Sequence, residues 1–453
     1  YVDDDGNLKT EFFDMVVLSV GLRPPKSLPK LANTLNVALN EYGFVRTETG
    51  KPLITSREGI YVSGAAESPK DIPETVMQSC GAACEAASII ADVRGKDLVV
   101  LPLPEEKNVD EEEPRIGVFV CNCGINIGGV VNVPEVQEYA KTLPNVVLSD
   151  ENLFTCSQDT QDKMKKVIDE YKINRVVVAS CSPRTHEPLF RATIREAGLN
   201  KYLFEMANIR DQCSWVHMQD KKGATEKAKD LVRMSVTNAN YIKPLRDVSI
   251  DVNKRAVVLG GGIAGMTAAL KLADQNFEVF LVEKEHELGG NLRHIYHTVD
   301  GMDVQAFLKN TVERVTTHPL IHVETNAGIT GHSGFKGNFT TEITVGTEVK
   351  PLQHGIIVVA VGAEEYKPLG KYFYSEDNRV MTQTEFEKGF VAQNLPAFKR
   401  CTMVQCVGSR DEERPYCSRV CCSVAVKNAI DIKERDPETD VIILYRDIRT
   451  YGF

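Results

Sequence analysis

The sequence predicts an α/β protein built on parallel sheets, and three observations carry that prediction. Residues 115–240 alternate strand and helix four times, the pattern of a parallel sheet with right-handed crossovers. Residues 255–259 form an apolar strand that runs straight into Gly260-Gly261-Gly262-Ile263-Ala264-Gly265 and then a helix to about residue 275, the layout of a dinucleotide-binding turn. Residues 355–361 are a further apolar strand, closed by Gly362. At 453 residues, the chain has room for about three domains of roughly 150 residues each.

In order along the chain, residues 1–6 read as a strand end and a turn. Residues 14–20 read as a buried strand closed by Gly21-Leu22-Arg23-Pro24. Residues 59–63 read as another, followed by Gly64-Ala65-Ala66 and a small-residue helix over about 73–93. These elements make 1–96 the first region. Residues 97–114 change character, with Pro102, Pro104 and Pro114 around an acidic run at 110–113, which reads as a solvated linker. The region 115–243 carries strands at 116–121, 145–149, 175–180 and 202–206. Its helices place Val136, Tyr139 and Leu143 at helical spacing, and a last helix covers 224–240. The region 244–453 holds the glycine turn, a strand at 277–282 ending on Glu283, and the strand at 355–361. A strand at 401–406, a helix at 421–432 and a strand at 441–445 follow. Residues 14–21 resemble 355–362, a faint internal repeat of apolar strands ending in Val-Gly.

Composition narrows the function. A formal charge of −10 argues against nucleic acid as a partner. The longest apolar run, 355–363, is far short of the ~18 residues of a membrane helix. No signal peptide opens the chain, so a cytoplasmic location is expected. Twelve cysteines in a chain with no sign of secretion are not disulfide material by default. Cys80 and Cys84, one helical turn apart among Ala and Gly, read as small buried hydrophobes. The others cluster at 121, 123, 156, 181 and 213, and at 401, 406, 417, 421 and 422, which points to metal or redox chemistry.

In the glycine turn, Gly260 allows the tight bend, Gly262 lets backbone approach a pyrophosphate, and Gly265 packs helix on strand. The helix start offers free N–H groups to phosphate. Glu283 is placed to accept hydrogen bonds from ribose hydroxyls and to disfavour a 2′-phosphate. Glu287-Leu288-Gly289-Gly290 resembles a segment of flavoproteins with two dinucleotide domains, which implies that a nicotinamide domain would open with a second such turn after residues 401–406. Val407-Gly408-Ser409-Arg410 stands there instead, and cysteines follow.

Cys406, Cys417, Cys421 and Cys422 are four thiols close in sequence, the number held by tetrahedral zinc or an iron–sulfur cluster. Adjacent Cys beside a dinucleotide turn favour the redox cluster. In 115–243, Cys121 and Cys123 follow the first strand, Cys156 the second, Cys181 the third and Cys213 the fourth. All strand C-termini of a parallel sheet share one edge, so five thiols compete there for four positions in a second cluster, with Cys121 and Cys123 the alternatives between which the sequence does not choose. His186 and His217 sit beside these cysteines; a ligand role is open to either, and they read first as packing or hydrogen-bonding neighbours. Lys427, mid-helix five residues past Cys422, either snorkels to solvent or faces a flavin, where it could hydrogen-bond N5 as a catalytic residue.

Glu287-Leu288-Gly289-Gly290-Asn291-Leu292 resembles the E-x(n)-G-G segment of thioredoxin-reductase-type flavoproteins, where it passes the FAD. That resemblance implies FAD contacts at Gly289, Gly290, Asn291 and Gly362, on Rossmann-type FAD modules. Residues 21–24, then 59–64 and a helix, resemble the order in which such modules finish. Gly64 is thereby implied at the cofactor, with Ala65 where that family usually has Asp. So 1–96 resembles the closing part of one FAD module. Region 244–453 resembles the front of another, its second dinucleotide domain degenerate and carrying the cysteines.

Gln405-Cys406-Val407-Gly408-Ser409-Arg410 and Tyr416-Cys417-Ser418-Arg419-Val420-Cys421-Cys422 resemble the A subunit of heterodisulfide reductase, and the likeness continues through Tyr445-Arg446-Asp447-Ile448-Arg449-Thr450-Tyr451-Gly452-Phe453. In 115–243 it is carried by Val120-Cys121-Asn122-Cys123-Gly124, by Cys181-Ser182-Pro183-Arg184-Thr185-His186-Glu187 and by Asn208-Ile209-Arg210-Asp211-Gln212-Cys213-Ser214-Trp215-Val216-His217. The resemblance implies FAD and 4Fe–4S clusters, one of them held by the four cysteines near the FAD. It implies an oxidoreductase component of anaerobic metabolism such as methanogenesis, bifurcating electrons between a two-electron donor, a ferredoxin and a disulfide. The implied partners are disulfide-reducing subunits, a hydrogenase or formate dehydrogenase module, and ferredoxin, around a homo-oligomer within a larger complex. Two readings compete: a pyridine-nucleotide disulfide oxidoreductase, and a zinc-stapled structural protein.

Overall fold

The computed structural model describes residues 2, 6–10, 12, 14–18, 20–99 and 102–450. Two compact units form, one of Leu98–Ile250 and the other of Tyr1–Asp97 with Asp251–Phe453. The chain begins in the second of these with α1 (Leu28–Leu35) and α2 (Ile72–Ile89). Helix α2 is started by Asp71, which accepts the Glu74 N–H, and by Pro73 in the first turn.

The strand expected over 14–20 does not form. Residues 14–18 and 20 are irregular and exposed, Val17 at 81%, and Ser19 lies outside the described residues. An apolar run becomes a buried strand only when neighbouring strands take up its backbone groups, and no described strand pairs with this one. Around the expected opening strand end, Val2 bridges Leu8, while Tyr1 and Asp3 to Asp5 lie outside the described residues. Residues 59–63 join no sheet either; Tyr61 makes one antiparallel bridge to Ile54 and Val62 is buried. Cys80 is exposed rather than buried, and Cys84 is half-buried.

The unit Leu98–Ile250 contains β1 (Ile116–Cys121), α3 (Val133–Lys141), β2 (Val146–Asn152), α4 (Gln158–Glu170), β3 (Arg175–Ser180), α5 (Pro183–Glu196), β4 (Phe204–Asn208) and α6 (Lys221–Ala239). The four strands are parallel in the order β2-β1-β3-β4. Strands β1 and β3 are buried along their whole length, as central strands covered on both faces must be. Val136, Ala140, Ala228 and Val232 cover one face, and Met164, Ile168, Phe190 and Ile194 the other. The acidic segment read as a solvated linker packs along this unit: Val109 is buried, Lys107 donates its backbone N–H to Gly198 O (2.8 Å), and Asn200 donates to Glu106 (2.9 Å). Polar groups of the loop after α5 need partners there, and the segment supplies them.

In the other unit, β5 (Ala256–Leu259), α7 (Ile263–Ala273), β6 (Val279–Val282), α8 (Val304–Thr317) and β7 (Ile321–Glu324) are followed by β8 (Ala327–Phe335), β9 (Asn338–Val345), β10 (Glu348–His354) and β11 (Ile356–Val359). The parallel sheet runs β11-β5-β6-β7, and β8 to β10 form an antiparallel meander. Helices α7 and α8 cover one face through Met266, Leu270 and Val315, while the meander covers the other through Ile343 and Leu352. The meander and α8 have no counterpart among the sequence expectations. Next come α9 (Gln383–Val391), β12 (Arg400–Val404), α10 (Cys421–Arg435) and β13 (Asp440–Leu444). Strands β12 and β13 pair in parallel and share a core of Phe386, Met403, Ala425 and Ile432. Tyr451, Gly452 and Phe453, the last residues of the family-like stretch, lie outside the described residues.

Helix α2 seats on α7 within this unit. Lys271 pairs with Glu85 (2.7 Å), Gln275 donates to the Cys84 sulfur (3.1 Å), and Asn276 donates to Asp92 (2.8 Å).

Candidate flavin and iron–sulfur sites

The glycine turn is built as its three roles require. Gly260 has φ +101, and a Cβ there would lie 2.4 Å from Ala360 O. A Cβ on Gly265 would lie 1.8 Å from Gly260 O, so helix and strand approach as only glycine permits. At Gly262, by contrast, a Cβ meets nothing within 4 Å. That open space lies at the start of α7, whose first N–H groups have no partner within the helix. Gly362, with φ +71, also faces open space.

Glu283 is buried, and its carboxylate accepts the Gly261 N–H (2.5 Å) and the Glu285 N–H (2.8 Å). A carboxylate offers about four acceptor positions, so it orders the turn and keeps capacity for hydroxyl donors. The Gly289-Gly290 backbone lies against the turn: Gly289 N–H donates to Gly261 O (2.8 Å), and a Cβ on Gly290 would stand 3.3 Å from Gly262 Cα. Asn291 donates to Ala363 O (3.0 Å), tying this loop to the chain leaving β11. Gly64 opens a single helical turn with φ +67 and donates its N–H to Gln78 (2.6 Å). These residues fit a dinucleotide: the cradle is glycine-lined, open at Gly262 and fronted by helix N–H groups.

Cys406 follows β12, Cys417 lies in the loop, and Cys421 and Cys422 open α10. Burial pushes the Cys421 thiol up, and its neighbours Cys422, Cys406 and Cys417 push it further. Cys406, Cys417 and Cys422 thus all lie within electrostatic reach of Cys421. Donors already address them: the Arg419 N–H points at Cys417 Sγ (3.4 Å) and Arg410 Nη1 at Cys406 Sγ (3.9 Å). Cys406, Arg410 and Arg419 all have positive φ, at +60, +57 and +65, conformations that persist only where surroundings hold them.

Lys427 neither snorkels nor stands alone. It is buried and paired with Glu387 (2.7 Å), with side chains 6% and 5% exposed, and donates to His297 O (3.3 Å). Glu387 also accepts the Tyr296 N–H (2.9 Å). The pair therefore ties α9 and α10 to the chain that follows the Gly289-Gly290 loop. Two of the lysine's three N–H donors are engaged.

In the Leu98–Ile250 unit, the chain leaves β1 for β2 on one side and returns to β3 on the other. The crevice between the ends of β1 and β3 is a topological switch point, where open α/β sheets bind ligands. Cys121 ends β1 and Cys181 follows β3, at that crevice. Burial pushes the Cys121 thiol up, Thr155 opposes it, and Cys123 and Cys156 push it further. Cys181 is pushed up by burial, against Arg210, with Cys156 adding. Cys213 is turned away from these four: its buried thiol donates to Ala224 O (3.1 Å), and the charged neighbour acting on it is Lys227. The turn after β4, Arg210–Ser214, directs it to α6. His217 meets Lys227 (3.2 Å) and His186 packs edge-on to Phe190.

Among the described residues, no three His, Cys, Asp or Glu side chains are gathered closely enough to hold a metal ion as placed. A four-iron cube holds its thiolates further apart than one ion does. The surroundings suit such a cluster: the buried Asn152 Nδ2, Thr155 Oγ1 and Ser180 Oγ have no oxygen or nitrogen partner, and the last two favour the anionic forms of Cys121 and Cys181. All twelve cysteines are free. Spacing gives no sign of Thr155, Arg410, Arg419 or Glu387, whose places follow from the fold.

The family model of an NAD(P)-binding Rossmann-like domain matches residues 258–310. One of the A-type iron-sulfur subunits of the CoB–CoM heterodisulfide reductase of Methanopyrus kandleri, numbered 2, is 39% identical over 434 residues, covering 76% of this chain and 66% of that protein. The A component of the H(2):CoB-CoM heterodisulfide,ferredoxin reductase of Methanothermobacter thermautotrophicus is 37% identical over 440 residues, covering 77% and 67%. The chain spans about two thirds of the length of these relatives. A thioredoxin reductase from Giardia duodenalis matches 25% of this chain and 32% of its own at 19% identity, with a TM-score of 0.19, a likeness too slight to place any element.

Proposed function

The chain belongs to the family of heterodisulfide reductase A subunits, and from that premise we propose that it is the FAD- and iron–sulfur-carrying member of a heterodisulfide-reductase-like oxidoreductase complex. The observation that carries the reading is one unit that holds both the open dinucleotide cradle at Gly262 and, between the end of β12 and the start of α10, Cys421 with Cys406, Cys417 and Cys422 within its reach. FAD accepts electrons in pairs and releases them singly, and a 4Fe–4S cluster carries one at a time. This chain's residues bind and orient. The start of α7 and Gly262 take the pyrophosphate, Glu283 the ribose, and Gly289, Gly290, Asn291 and Gly362 the rest of the cofactor's course, while Gly64 belongs to the FAD module that residues 1–96 close. Lys427 offers its remaining N–H to the flavin N5 while Glu387 balances its charge.

Cys406, Cys417, Cys421 and Cys422 hold one cluster. Cys121, Cys123, Cys156 and Cys181 hold the other, with Cys213 in the core beside it. In this proposal residues 1–96 are the closing part of one FAD module, 97–114 connects to the cluster domain 115–243, and 244–453 is a second FAD module. The complex is cytoplasmic, passes electrons by bifurcation between a two-electron donor, ferredoxin and a disulfide-reducing partner, and contains a hydrogenase or formate dehydrogenase module around a homo-oligomer. The relative named a heterodisulfide,ferredoxin reductase supports the ferredoxin branch. Anaerobic mixing with NADH tests the assignment. The isolated protein should show little flavin bleaching, because Val407 to Arg410 replace a nicotinamide turn. Rapid bleaching would promote a pyridine-nucleotide oxidoreductase, and zinc without iron a structural staple.

A further inference from the structure

The loop from Cys406 to Cys417 carries an aromatic cover donated from elsewhere in the chain. Tyr366 stands four residues beyond Gly362, on the segment that leaves β11 at the dinucleotide edge. Its ring lies directly on Gly408: a Cβ at 408 would fall 2.1 Å from Tyr366 Cδ1 and 2.6 Å from Cε1, and Gly408 has φ +74. Only glycine lets the ring sit there. The Arg414 guanidinium lies 4.6 Å from the ring centroid and the Lys371 ammonium 6.0 Å, both within cation–π range. The backbone at Arg414 is held in turn, its main-chain N–H donating to Asp411 Oδ1 (2.7 Å), and the loop closes through the Arg410 main-chain N–H to Tyr416 O (3.0 Å).

We propose that Tyr366 is the solvent cover of the Cys406/Cys417/Cys421/Cys422 centre, a positioning residue whose ring, seated on Gly408 and held by Arg414, shields the loop carrying two of its thiols. Water favours the more negatively charged, reduced form of a thiolate-bound cluster, so exposure moves its potential upward. A ring over the loop therefore keeps the potential low and slows attack by oxygen. The proposal rests on these four cysteines being ligands, as proposed above.

The test uses the iron-loaded full chain and the EPR signal that Cys421→Ser abolishes. Tyr366→Ala should keep its iron while the midpoint potential of that signal moves positive and the visible absorbance bleaches several-fold faster in air. Tyr366→Phe should match the unaltered protein, because the ring and not the hydroxyl acts. Gly408→Ala, which evicts the ring, should reproduce the Tyr366→Ala shift, and combining the two should add little to it. If Tyr366→Ala loses its iron, Gly408→Ala carries the same test. Unchanged potential and bleaching in an iron-replete Tyr366→Ala or Gly408→Ala variant overturns the cover. An unaltered protein that binds no iron overturns the ligand assignment beneath it.

Discussion

Replacing Gly262 with Val separates cofactor binding from folding. Gly262 caps α7 with φ −74 and ψ −177, a conformation open to any residue, and a Cβ there meets nothing within 4 Å. The cost to the fold is that of a changed N-cap, about 1 kcal/mol or less. The cost to a pyrophosphate is larger, because the added methyl groups fill the space its oxygens need. Losing two charge-assisted hydrogen bonds at about 1.5–3 kcal/mol each weakens FAD binding roughly 10²- to 10⁴-fold. Gly265→Ala is the contrasting control: its Cβ would be 1.8 Å from Gly260 O, and such overpacking costs about 1–3 kcal/mol or more. The assay pairs the flavin-to-protein absorbance ratio with a thermal melt. Gly262→Val should melt normally and lack flavin, whereas Gly265→Ala should melt early. A Gly262→Val protein with normal flavin content would refute the assignment of the turn.

Cys421→Ser should remove one iron–sulfur EPR signal and leave FAD bound; an unchanged iron count shows that these cysteines are not ligands. Glu387→Ala leaves Lys427 buried and unpaired, which should cost about 3–5 kcal/mol in a denaturant melt, and the Glu387→Met, Lys427→Met double variant should recover much of it. Glu385 is held at about 2: burial opposes this, but the Thr382 N–H, the Lys367 ammonium and the Tyr374 hydroxyl outweigh it. A depressed folded-state value gives stability that is present above the ordinary value of 4.5 and lost as pH falls toward 2. Glu385→Gln should therefore flatten the acid limb of a stability–pH curve in that window, and an unaltered slope shows that the carboxylate contributes nothing there.

The parts legible in the sequence are those whose cause is local. The glycine turn needs only a strand, three glycines in register and a helix, all within residues 256–273. The four strands of the 115–243 region are legible because their apolar runs alternate with amphipathic helices. Residues 14–20 mislead for the converse reason: an apolar run states a preference for burial, but a strand forms only where a neighbour takes up its backbone groups, and no described strand does so here. The meander escapes notice because its covered face mixes polar with apolar residues: Thr341 and Ile343 are both buried, with Glu342 exposed between them, a weaker pattern than a fully apolar buried strand. The distinction among the five thiols of 115–243 depends on strand order and on the turn after β4. The partnership of Lys427 with Glu387 joins α9 to α10 across a long stretch of sequence, and nothing in the spacing announces it.

Whether this chain carries one FAD and two four-iron clusters is decided by quantifying flavin, iron and acid-labile sulfide per chain after anaerobic reconstitution. One flavin is expected, with iron and sulfide each at about the amount of two 4Fe–4S clusters. Zinc in place of iron, or iron with no flavin, would contradict it.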